Sequence, residues 1–98
     1  MSEQIRVVAI IEAKPGQEAA LEAAALACIA PTREETGCIE YRLHRDSEDA
    51  SRFVFIETWK SPAALDTHLG TPHLKAFLEV VQRTAKGDVV IHRLQELA

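Results

Sequence analysis

A basic surplus is the first thing missing. Eleven Lys and Arg against fifteen Asp and Glu leave a formal charge of −4 over 98 residues. A nucleic-acid face needs clustered positive charge, so no nucleic-acid partner is expected. Cysteine is scarce too, with only Cys28 and Cys38. Two thiols cannot build a disulfide framework, and neither a CxxC nor a His-paired ligand spacing is present. Both are expected as free, buried or half-buried side chains in a reducing cytoplasm. Long apolar runs are also lacking. The run Val7–Ile11 is too short for a membrane span or a signal-peptide core and carries no cleavage site. No membrane contact and no signal peptide are therefore expected, and the location reads as cytoplasmic. Neither a Ser/His/Asp arrangement nor a phosphate-cradling glycine loop is found.

What is present fits a globular chain, 47% apolar. A single domain over residues 1–98 is expected, short enough that oligomerisation commonly supplements its core. Aromatic and ionisable groups concentrate between Gly37 and Phe77, which hold the single Trp, the single Tyr, all three Phe and three of the four His.

Ile5–Ala13 is β-branched and apolar at consecutive positions, which predicts a strand covered on both faces. Lys14-Pro15-Gly16 breaks it. A helix follows from Gln17, with Leu21, Ala25, Cys28 and Ile29 in one stripe and Pro31 expected to end or kink it. Cys38–Arg45 alternates, placing Ile39, Tyr41 and Leu43 on one face and Glu40, Arg42 and His44 on the other. After a polar turn over Asp46–Ser51, the strand Phe53–Lys60 places Phe53, Phe55, Glu57 and Trp59 on one side. Ser61-Pro62 and Thr71-Pro72 are helix starts, opening Ala63–Leu69 and His73–Thr84. Leu74, Phe77, Leu78 and Val81 form the stripe of the latter. Asp88–Leu97 is a last strand.

The order β-α-β-β-α-β, its second helix broken in two, predicts an α+β ferredoxin-like fold with an antiparallel sheet and helices on one face. The opposite face keeps apolar side chains. A homodimer with sheets packed face to face is the simplest closed solution.

The segments GCIEYRLHRD, RFVFIETW, ALDTHL and TPHLKAF resemble the antibiotic biosynthesis monooxygenase family, including its quinol monooxygenase-like members. The resemblance implies a dimeric α+β barrel. It further implies a monooxygenase that works with O2 on a quinol or polyphenol without metal, flavin or haem. It also takes in haem-degrading relatives and an isomerase of a phosphorylated diketone. Some oxygenase members pair an asparagine with the Trp and His. This chain has no asparagine, which argues against haem degradation.

On that resemblance Trp59 and His68 are catalytic candidates, with His68 as a base of near-neutral pKa. Glu57 is a candidate from physics alone, since a carboxyl on an apolar strand face must be paired or must face a wet cavity. Its expected partners are Arg42 or His68. Tyr41, Phe55, His73, Phe77 and Arg42 are expected to complete the pocket. His44 and His92 read as surface residues. His68 and His73 stand five apart across a helix break rather than at helical ligand spacing, so no metal site is expected. The expected partners are a small aromatic substrate with O2, or a small dicarbonyl for an isomerase. A non-catalytic dimeric module binding a small apolar ligand is the third reading.

Overall fold

The computed structural model describes residues 3–98. Ile5–Glu12 forms β1, and apolar side chains on both its faces suit the inner position it takes in the sheet. The helix Glu18–Arg33 (α1) runs next, followed by a hairpin of Cys38–Asp46 (β2) and Asp49–Trp59 (β3). Two short helices, Pro62–Leu69 (α2) and Pro72–Thr84 (α3), precede Val90–Leu94 (β4). The sheet order is β2-β3-β1-β4, antiparallel throughout, as the split arrangement requires. No helix among the described residues is long and apolar enough to cross a membrane.

Both expected helix starts form. The Ser61 hydroxyl accepts from the Ala64 N–H at 3.1 Å and the Thr71 hydroxyl from the Leu74 N–H at 3.3 Å, with Pro62 and Pro72 at the first helical positions.

Two local expectations are corrected, and one choice between alternatives is decided. Pro31 lies inside α1, which continues past it to Arg33 rather than ending there. It falls in the last turn, where a missing N–H costs one bond and the buried Cys28 and Thr32 hold the helix to the sheet. The hairpin is tighter than expected, with strand continuing to Asp46 and resuming at Asp49. Arg52 fastens it, bonding Asp46 at 3.1 Å and Glu12 at 3.0 Å. Finally, Ile39 does not share a face with Tyr41. Cys38 pairs with Trp59 and Glu40 with Thr58, so Ile39 is the extra residue of a β-bulge and is exposed.

Strand register sorts the side chains into rows. On the helix-covered face one row reads Tyr41, Glu57, Val7, Arg93 and the next Leu43, Phe55, Ala9, Ile91. On the other face stand Arg42, Ile56, Val8 and His92, then His44, Val54, Ile10 and Val90. The core is the covered face with Leu21, Ala25 and Cys28 of α1, Leu65 of α2, and Leu74, Phe77 and Val81 of α3. The residues of β4 are all exposed.

Gly37 closes the link between α1 and β2. A Cβ there would lie 2.3 Å from the Cβ of Ala64, so only glycine lets the link approach α2 this closely. That approach carries Glu35 against His68 of α2.

Candidate functional site

Between the β1–β4 side of the sheet and the α2–α3 pair lies a cavity of about 100 Å³. Its floor is Val7, Ala9, Phe55, Glu57 and Tyr41, its roof Leu65, His68, Leu74 and Phe77. Leu69, Leu78, Ile91 and Arg93 form an exposed rim. The wall is almost entirely apolar, so the polar groups that do face it stand out.

Glu57 is one of them. Alternation along β3 turns it inward with Phe53, Phe55 and Trp59, and only 5% of it is exposed. Its Oε1 accepts the Trp59 indole N–H at 2.9 Å. Burial pushes the carboxyl up to about 7, against the opposing effect of the indole bond and with help from the charge of Glu35. A group with that value exchanges protons readily near neutral pH.

His68 is the other. It projects from the last turn of α2, 2% exposed, with its ring 4.5 Å from that of Trp59 and 5.4 Å from that of Tyr41. Its Nδ1 meets Oε2 of Glu35 at 2.7 Å, and no other hydrogen bond joins its ring to a described residue. Nε2 is left for the cavity. Burial holds the imidazole below its usual value, with Glu35 pulling the other way.

Tyr41 is buried under α1, where its hydroxyl reaches Cys28 and Thr32 while its ring walls the cavity. Burial drives its phenol well above the ordinary range, so it stays protonated. The thiols of Cys28 and Cys38 are free and pushed up by burial.

The cavity thus brings together Glu57, His68, Tyr41, Phe55 and Phe77. Trp59 stands immediately behind it, fully buried, touching both Glu57 and His68. Two expectations are corrected. Arg42 does not reach the pocket or pair with Glu57. It points from the opposite sheet face and bonds Glu40 at 2.9 Å, because alternation from Tyr41 turns it outward. His73 does not line the cavity either. It begins α3 on the far side of Glu35, facing a surface groove between α1 and α3.

Two functional candidates escaped the sequence reading. Glu35 lies in the charged stretch after Pro31, which looks like an ordinary helix exit. Arg93 was legible in principle, since alternation along β4 sets it beside Ile91 on the inward face.

Residues 4–80 match the antibiotic biosynthesis monooxygenase family. A relative from Synechocystis, the uncharacterized protein sll1783, is 37% identical over 75 residues, which are 76% of this chain and 51% of that one. The chain thus spans about half the length of that relative. The "Probable quinol monooxygenase YgiN" of Escherichia coli is 39% identical, with 88% of each chain covered. Among solved structures, PA3566 from Pseudomonas aeruginosa superposes with a TM-score of 0.93 at 39% identity, covering 100% of this chain and 98% of that one.

Proposed function

The chain belongs to the antibiotic biosynthesis monooxygenase family, and on that premise we propose that it oxidises a quinol or polyphenol with O2, using its own side chains rather than a bound cofactor. The observation that carries the reading is one apolar cavity faced by the imidazole of His68 and the carboxyl of Glu57. In the proposed reaction a substrate hydroxyl gives its proton to Nε2 of His68. The resulting anion passes one electron to O2, leaving a substrate radical beside superoxide. The pair joins at a ring carbon to form a C–O bond. The peroxide takes the proton back from His68, the O–O bond breaks and water leaves. The ring carbon, having lost its hydrogen, becomes a carbonyl. One oxygen atom enters the product and one leaves as water.

The aromatic wall of Tyr41, Phe55 and Phe77 suits a flat ring and excludes bulk water. Trp59 serves by holding Glu57 and backing the His68 ring. The name of the E. coli relative points to the same substrate class.

Oxygen uptake with reduced naphthoquinones and substituted hydroquinones tests the reading. Wild-type protein should exceed buffer autoxidation, and His68→Ala should fall at least about a hundredfold, the usual contribution of a positioned base. A wild-type rate equal to autoxidation across the panel would sink it.

A second reading draws on Glu57. A carboxyl titrating at about 7 beside a histidine also suits enolisation of a small dicarbonyl. Turnover of such a compound under strict anaerobiosis would favour it. We further propose a homodimer through the uncovered sheet face, where Ile56, Val90 and Leu94 are 38%, 47% and 45% exposed beside half-buried Val8, Ile10 and Val54.

A further inference from the structure

The wall behind His68 holds a feature that the reaction above does not use. One oxygen, Oε2 of Glu35, lies 2.7 Å from Nδ1 of His68 and 2.7 Å from Nε2 of His73. The three residues come from three elements: the α1–β2 link, the end of α2 and the start of α3. Their side chains are 3%, 13% and 23% exposed in the order His68, Glu35, His73. The array therefore runs from the cavity through its wall to the groove lined by Ala24, Ala27 and Ala76.

We propose that Glu35 is the positioning residue for the His68 base, and that His73 tunes that base from the solvent side through the same carboxylate oxygen. The inference rests on the reading of His68 as the base of the cavity.

Contacts of 2.7 Å are those of N–H groups donating to an ionised carboxylate. Each contact needs a proton between its atoms, so Glu35 accepts twice. His68 is thereby fixed with its proton on Nδ1 and its lone pair on Nε2, the tautomer a cavity base requires. When Nε2 takes a proton, the imidazolium forms next to an anion already in place. The oxygen is shared, however. Every increment of charge that His73 draws from it is unavailable to His68, so the two histidines compete.

The three donor atoms lie within 4.8 Å of one another, and the donor set is one a metal ion could use. Bonds of about 2.0–2.1 Å to one ion would ordinarily hold the ligand atoms farther apart than 2.7 Å. The spacing is that of hydrogen bonds.

Other groups face His68 as well: Tyr41 from β2, Glu57 and Trp59 from β3, and Arg93 at the rim from β4. The Cys28 and Cys38 thiols lie on the far side, near Glu35. Of these groups, Glu35 and His73 act on its charge most directly.

The test is imidazole NMR on the full chain, following His68 through a pH titration in wild type, Glu35→Gln, Glu35→Asp and His73→Ala. Wild-type His68 should show the Nδ1–H tautomer. In Glu35→Gln its midpoint should fall by about one pH unit, because burial then acts unopposed. Glu35→Asp should recover part of that loss. In His73→Ala the midpoint should move the opposite way, upward, as the oxygen serves one donor. The low-pH limb of kcat/KM for quinol oxidation should follow the same order.

A His68 midpoint unmoved in Glu35→Gln, or movement in one direction in both variants, would overturn the inference. So would tight binding of one equivalent of Zn2+ to wild type that Glu35→Gln abolishes, which would make the array a metal centre. His73→Ala changes a part-exposed side chain and keeps the test open should Glu35→Gln unfold. If His68→Ala retained wild-type turnover, the proposed reaction would fail whatever the titrations showed. If His68→Ala were inactive while Glu35→Gln titrated as wild type, this inference alone would fail.

Discussion

Glu57→Gln separates the cost of burying a charge from the chemistry of the site. The side chain is 5% exposed and titrates at about 7 rather than 4.5, chiefly because burial opposes ionisation. Glutamine has the same length, stays neutral at every pH, and offers a carbonyl oxygen to the Trp59 indole. A carboxyl whose folded-state value is raised binds its proton more tightly in the folded chain than in the unfolded one. Its stabilising contribution is therefore full below 4.5 and is lost as pH rises to about 7. At about 1.36 kcal/mol for each pH unit, that gap is worth ~3 kcal/mol. Urea unfolding of both proteins at one concentration, stepped across this range, measures it. Wild type should lose ~3 kcal/mol relative to Glu57→Gln between pH 4.5 and about 7, with no further loss above. Parallel stability curves would refute the reasoning, since they would mean that the ionised carboxylate is as well solvated folded as unfolded.

Trp59→Phe removes the indole donor that stabilises ionised Glu57, so carboxyl NMR should place that group's midpoint above the wild-type value; an unchanged midpoint would contradict the bond. Gly37→Ala forces a methyl group to within 2.3 Å of Ala64. Unfolding should show a loss of about 1–3 kcal/mol, the usual cost of overpacking, and His68 resonances should shift as α2 is displaced. Ile56→Asp puts a charge at the centre of the uncovered sheet face and should turn a dimer into a monomer by light scattering at micromolar concentration; a wild-type protein already monomeric there would refute the sheet-face dimer.

Elements and faces were legible where one signal dominated. Ser61-Pro62 and Thr71-Pro72 marked helix starts because a hydroxyl and a proline solve the same local problem of unpaired N–H groups. Strict alternation along β3 set Glu57, correctly, with Phe55 and Trp59. Glu35 was invisible for the opposite reason. Its role depends on where α2 and α3 place their histidines, 33 and 38 residues further on, and nothing local separates it from the neighbouring Glu34. Arg42 misled because a long cation near an inward carboxyl suggests a pair, whereas strand geometry turns adjacent residues to opposite faces. His73 was placed near the site but on the wrong side of its wall, a distinction of one side chain's thickness that spacing cannot carry.

The bulge at Ile39 acts as a change of parity in β2. Without it, inward residues would be separated by even numbers, and Cys38 and Tyr41, three apart, could not both face the core. One inserted residue lets the strand begin in one phase beside Trp59 and continue in the other beside Glu57. Deleting Ile39 would therefore remove the exposed residue that breaks the alternation. It would leave Cys38 and Tyr41 two apart, so a regular strand could keep both against the core with Glu40 turned outward between them.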